Sequence, residues 1–149
     1  MRWKPNVTVA ALIQREDGRY LIVEEDTVDG RRFNQPAGHL EKGESLLEAV
    51  KREVLEETGY EFEPQGLVGI YLADQVSSEV TYLRFSFFGK ALQHRPDLPL
   101  DKGIVAALWL TAEEISSCAE RHRSPLVMRS LQDWQAGARF PLEVLHRVE

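Results

Sequence analysis

Gly38-His-Leu-Glu-Lys-Gly-Glu-Ser-Leu-Leu-Glu-Ala-Val-Lys-Arg-Glu-Val-Leu-Glu-Glu-Thr-Gly-Tyr60 decides how this chain is read, because it joins a loop to one strongly marked helix. Ser45 stands where an N-cap belongs, with Glu48 three residues on to return the bond. Apolar positions recur through Val54, and Gly59 supplies a C-terminal stop, so the pattern predicts a helix from Ser45 to Thr58. At about 100° per residue, Leu46, Leu47, Val50 and Val54 form one apolar stripe that must face a core. Glu57 falls inside that stripe, Glu53 at its edge and Glu56 a little further round, with no base of the helix on that side. Lys51 and Arg52 point elsewhere, and Glu48, one turn before Arg52, predicts a structural ion pair with it.

Carboxylates at this spacing repel one another, and burying any of them without a partner costs more than the repulsion. Something positive must sit among them. Oxygen donors suit hard cations such as Mg²⁺ or Mn²⁺, whereas zinc would recruit histidine or cysteine, and neither lies on this helix. A divalent ion also suits an acidic site that works on an anionic substrate. A solvated helix face is the other reading of such a cluster.

Upstream, Val7 to Ile13 and Tyr20 to Val23 have strand composition, and Asp17-Gly18 between them predicts a hairpin. Glu24 to Arg32 is polar, and Pro36 and Gly38 predict a loop leading into the helix. Downstream, Gly66 to Leu72, Val80 to Gly89 and Val105 to Leu110 read as strands, and Arg95 to Gly103 as a surface loop. Thr111 with Glu114 marks a short helix, and Ser124-Pro125 opens another whose apolar face runs through Leu131 and Trp134 to Gly137. Strands thus mix with helices on two sides of one sheet, an α/β fold.

A length of 149 residues and 43% hydrophobic content fit a single domain spanning 1–149. The lone Cys118 excludes an internal disulfide and reads as an inert thiol without a histidine partner. No basic-then-apolar leader is visible and no apolar run approaches bilayer length, so a cytoplasmic location and no membrane partner are expected. Of the net charge of −6, five units fall between Gly38 and Glu63, where eight acids face three bases. That balance argues against a nucleic-acid groove.

The residues Gly38, Glu44, Arg52, Glu53, Val54, Glu56, Glu57 and Gly59 match every fixed position of the Nudix box, Gly-x5-Glu-x7-Arg-Glu-apolar-x-Glu-Glu-x-Gly. On that match the chain is identified as a member of the Nudix hydrolases; Tyr60 departs from the pattern, which favours an aliphatic residue there. The resemblance implies an α/β/α sandwich with a mixed sheet and a metal-dependent hydrolase of phosphate anhydrides. It implies that Glu53, Glu56 and Glu57 are metal ligands, with the Gly38 carbonyl a further one, and that Arg52 orients the catalytic glutamates with Glu44 close by. Glu41 is balanced between an outer-sphere metal role and a solvated surface. Ala37 stands where the family commonly has glycine.

A closer resemblance extends over Lys4-Pro-Asn-Val-Thr-Val-Ala10, Asn34-Gln-Pro-Ala-Gly-His-Leu-Glu41, Leu83-Arg-Phe85, Arg123-Ser-Pro-Leu-Val127 and Phe140-Pro-Leu-Glu143. These segments are similar to a phosphatase of the family that acts on nucleoside di- and triphosphates and thiamine-type diphosphates. They imply orthophosphate as product and such small molecules as partners, and they bring forward Arg84, His39, Gln35 and Arg123 as substrate-binding residues. Arg84 stands out because it interrupts an apolar strand, and arginine suits phosphate geometry. A pyrophosphatase for ADP-ribose or another dinucleotide, and a non-catalytic nucleotide sensor, are the competing readings; intact glutamates argue against the sensor. Monomer and homodimer both remain open.

Overall fold

In a computed structural model, which describes residues 1–75 and 78–149, the chain runs β1 (Asn6–Ile13), β2 (Tyr20–Thr27), β3 (Gly30–Asn34), β4 (Ala37–His39), α1 (Leu46–Thr58), β5 (Tyr60–Asp74), β6 (Thr81–His94), β7 (Ile104–Leu110), α2 (Ala112–Ser117) and α3 (Leu126–Gln135). A four-stranded mixed sheet has the order β4-β1-β6-β5, and a three-stranded antiparallel sheet has the order β3-β2-β7. In the mixed sheet β1 runs parallel to β6, while β4 and β5 are antiparallel to their neighbours.

Two cores lie on opposite sides of the strands. On one, Ala49, Val50 and Val54 of α1 pack against Val9, Ala11, Ile13, Leu21, Leu67 and Phe87. On the other, Ile115 of α2 and Val127 and Leu131 of α3 pack against Leu12, Tyr20, Ile22 and Val68. The architecture is an α/β/α sandwich. Because both faces of β1 and β2 are covered over residues 9–13 and 20–23, those stretches read as unbroken apolar runs instead of alternating ones.

That double burial overturns the expected hairpin. β1 and β2 lie in different sheets and share only a single bridge, Gln14 to Tyr20. The strand pattern also suggests one sheet where the chain folds two. A further correction concerns the polar stretch after Val23: β2 continues to Thr27 and turns into β3, with Asp26 paired to Arg31 at 3.2 Å and the turn closed by Gly30 at φ 95°. The acids of β2 are tolerated there because Glu24 and Glu25 are paired with Arg121 and Arg123 at 3.2 and 2.9 Å, while β3 is an edge strand. The expected loop before the helix also holds a short strand, β4, whose three residues pair with Thr8, Val9 and Ala10. β5 and β6 are longer than expected, since bulges at Tyr60/Phe62, Pro64/Gly66 and Leu67/Gly69 absorb the proline and glycines that suggested a break.

Helix ends follow local chemistry closely. Ser45 and Glu48 form a reciprocal capping box, as do Thr111 and Glu114, and Gly59 closes α1 at φ 78° with its N–H on the Leu55 carbonyl. α3 starts one residue beyond the expected N1 proline, with Ser124 Oγ accepting from Leu126 N at 3.2 Å. Among the described residues no helix is long and apolar enough to cross a membrane.

Candidate active site

The site grows from α1 and the segment that precedes it. Arg52 stands at its centre, not on the solvent side of the helix as the 100° projection suggests. Its Nε and Nη2 donate to the two oxygens of Glu44 at 2.6 and 2.9 Å, and its Nη1 donates to Glu53 Oε1 at 2.7 Å and Glu56 Oε2 at 3.3 Å. Nη2 also reaches the His39 carbonyl at 3.0 Å, and Glu41 Oε1 lies 3.6 Å from Nη1. The Glu48–Arg52 pair expected from spacing is absent, because Glu48 Oε1 is bound to Ser45 N at 2.9 Å in the capping box. A guanidinium has the reach to swing round the helix, and several carboxylates outweigh one.

Segment 37–39 completes the seat. Ala37 N donates to Glu57 Oε1 at 2.9 Å. Gly38 lies directly beneath Glu53, so close that a Cβ there would overlap the carboxylate. Glu53 and Glu57 are 8% and 7% exposed, which means that α1 buries two acids against the sheet. Burial pushes the Glu57 carboxyl up to about 9, partly opposed by the Ala37 amide, with the charges of Glu25, Glu53 and Asp101 adding to the rise. Burial likewise raises Glu53 against the pull of Arg52, and burial together with Asp101 raises Glu56.

Asp101, from the loop expected only as surface, completes the acidic group. Carboxylate oxygens of Glu53, Glu56 and Asp101 lie within 4.8 Å of one another, and Asp101 N donates to the Glu56 carbonyl at 2.9 Å. Glu57 is outside that trio. Nothing in the turn-like sequence around Asp101 points to α1; only the return of the chain from β6 into β7 brings it there. Three carboxylates this close, all oxygen donors and flanked by a fourth in the interior, suit a hard divalent cation better than they suit one another. Among the candidate ligands, then, Glu53 and Glu56 meet Asp101, with Gly38 and Glu57 alongside.

The other candidates lie across the sheet. Arg84 on β6 and Gln35 are buried, at 5% and 3% exposure, and joined by Arg84 Nη2 donating to Gln35 Oε1 at 3.0 Å. Gln35 Nε2 donates in turn to the Val127 carbonyl of α3 at 3.0 Å. Arg123 is half exposed, and its Nη1 donates to the buried Glu25 at 2.9 Å. His39 is exposed, edge-on to Tyr82 with ring centroids 6.2 Å apart. Tyr60 earns its place by packing: it stacks on His94 at 4.2 Å and accepts a bond from Trp109 Nε1 at 3.3 Å. Cys118 does have a histidine neighbour, contrary to expectation, since His122 Nε2 lies 3.9 Å from Sγ. Both lean on the Ile115 carbonyl, and burial raises the thiol.

The NUDIX domain family matches residues 4–132, and the chain belongs to that family of hydrolases. Within it, the chain is similar to the phosphatase NudJ of Escherichia coli, 43% identical over 145 residues that cover 96% of this chain and 92% of that one. It is also similar to the solved structure of a NUDIX hydrolase from Nitrosomonas europaea, with 49% identity, a TM-score of 0.94 and coverage of 97% and 98% of the two chains. A MutT protein of Methanosarcina mazei shares the fold, at 24% identity and a TM-score of 0.70 over 93% of this chain and 100% of that one. The chain is thus an enzyme of the Nudix hydrolase class, resembling NudJ.

Proposed function

We propose that this hydrolase removes orthophosphate from nucleoside di- and triphosphates and from thiamine-type diphosphates, with Mg²⁺ or Mn²⁺ as its ion. The observation that carries the reading is the meeting of Glu53, Glu56 and Asp101 around one point at the end of the Arg52 network. The resemblance to a protein named a phosphatase supports the product.

In this reading Glu53, Glu56 and Asp101 would hold the ion, with Glu57 and the Gly38 carbonyl available as further donors. When bound, such an ion polarises the phosphoryl oxygens and lowers the pKa of a coordinated water. Arg52, held by both oxygens of Glu44, fixes the rotamers of Glu53 and Glu56 and leaves their remaining oxygens free for this work. Glu53 or Glu56 accepts the proton of the attacking water. Arg84 and Arg123 take the negative charge of the phosphates, with His39 at the margin and Gln35 behind Arg84. Small-molecule phosphates are the partners, and the acidic surface around α1 repels nucleic acid.

A panel of nucleoside di- and triphosphates and thiamine diphosphate, with orthophosphate and pyrophosphate assayed separately, tests this directly. Orthophosphate release restored by Mg²⁺ or Mn²⁺ and abolished by chelator is the expected outcome. Full turnover after exhaustive metal removal overturns the mechanism, and a tightly bound zinc overturns the oxygen-ligand set.

A further inference from the structure

Arg84 sits in the middle of the mixed sheet at 5% exposure and enters no ion pair among the described residues. Its Nε is buried without a partner, as are Asn34 Oδ1 and Ser86 Oγ. The acidic groups that act on it are engaged elsewhere: Tyr71 donates its hydroxyl to Asp133, Glu25 pairs with Arg123 and Glu57 accepts from the Ala37 amide. A guanidinium so far from water with no carboxylate within ion-pair distance is costly to bury.

Strand register shows which residues share its face of the sheet. Thr8 lies beside Arg84 on β1, His39 beside Thr8 on β4 and Tyr71 beside Arg84 on β5, so these four form a row across one face of the sheet. Ser86, two residues on, shares that face. The row begins at His39, next to Gly38 but on the opposite face of β4 from the one that meets Glu53, which puts Arg84 on the α3 side of the sheet. Gln35 is fixed at both ends of its amide, Oε1 by Arg84 and Nε2 by the Val127 carbonyl. It therefore orients the guanidinium while adding no charge, which a glutamate in its place would not do.

We propose that Gln35 is a positioning residue that holds Arg84 as a deliberately uncompensated cation, and that a phosphate of the substrate supplies the missing counter-charge. The inference rests on the phosphohydrolase reading above and gives it an anion subsite set apart from the acidic trio. Neutral Gln35 preserves the field that attracts the phosphate, and the chain continuing from it carries Ala37 and Gly38 to Glu57 and Glu53, so anion capture and the metal helix share one support.

Inorganic phosphate, which cannot be turned over, is the probe, titrated calorimetrically into the Mg²⁺-loaded protein. Arg84→Met and Gln35→Glu are each expected to weaken phosphate binding by about tenfold or more, because the first removes the charge and the second neutralises it. Gln35→Met, which keeps the volume and loses both bonds, weakens it less. Mg²⁺ affinity measured without phosphate stays at the parent value in all three, and with a diphosphate substrate Gln35→Glu raises KM more than it lowers kcat. The thermal midpoint of Arg84→Met without phosphate is no lower than the parent's, since a lone buried charge has been replaced by an apolar chain. Parent-like phosphate affinity in Gln35→Glu and Arg84→Met overturns the proposal, as does a fall in the Arg84→Met midpoint with Mg²⁺ affinity lost alongside. A parent protein that binds phosphate through Arg84 but takes up no Mg²⁺ supports the subsite and contradicts the metal reading instead.

Discussion

Glu53→Gln and Glu57→Gln each lower turnover by roughly a thousandfold or more while the protein stays folded. Both acids are buried, both face the segment that carries Gly38, and neither supplies apolar packing that glutamine would lose. Glutamine is isosteric, and at position 57 its carbonyl oxygen can still accept from Ala37 N. What disappears is a carboxylate that a bound cation would need. In metal-free protein burial keeps the Glu57 carboxyl protonated, and losing that proton costs stability. The Glu57 carboxyl titrates near 9 in the folded chain, above its ordinary range, so between those values the native state holds a proton that the unfolded chain has released. Stability in chelator therefore falls as pH rises through that window, and Glu57→Gln flattens the fall. Midpoints in chelator at or above the parent's, together with collapsed turnover, are expected. Lost stability with retained activity contradicts the assignment of these residues to the site's chemistry.

Gly38→Ala has an effect of similar size for a different reason. Gly38 lies in β4 opposite Val9, and its φ is outside the left-handed region, so alanine meets no backbone strain there. Its Cβ, however, would overlap the Glu53 carboxylate. Glu53 must then leave its place beside Arg52 or the strand must shift away from β1. Displacing a reacting group by about 1 Å commonly costs on the order of a hundredfold in rate. A drop of that order in kcat, with an unchanged far-UV circular dichroism spectrum and Mg²⁺ affinity weakened, is expected. Unaltered kcat shows that Glu53 does not need the seat that Gly38 provides.

The parts of the fold that could be read from the sequence are those fixed within a few residues. Capping boxes at Ser45 and Thr111, the Gly59 stop and the apolar stripe of α1 depend on neighbours three or four positions apart, and the structure places them as read. Partner choice is different. β1 and β2 have the composition of a hairpin, but nothing in either strand specifies that β1 pairs in parallel with β6, a strand that starts at Thr81. The polar β2–β3 ribbon failed for the opposite reason: its charges obscured an Asp29-Gly30 turn that was present in the sequence. At the site, the three helix acids were visible as a group, while Asp101 was hidden in a loop and joins them only through tertiary folding. A helical projection turns Arg52 away from the acids it meets, because the projection fixes where Cβ points and says little about where a long guanidinium ends.

Hydrolysis of a nucleoside triphosphate in H₂¹⁸O with Mg²⁺ tests the central claim most directly. In the proposed reading the helix acids and Asp101 would fix the ion and the water, and Arg84 would set which phosphorus stands in line with them. Attack at the terminal phosphorus puts the label in orthophosphate, with the diphosphate appearing first, and both signals vanish in chelator. Pyrophosphate as the first product shows instead that the substrate is seated further in, by one phosphorus if the label is in pyrophosphate and by two if it is in the monophosphate, and label incorporation that persists without metal contradicts the assignment of the acidic site itself.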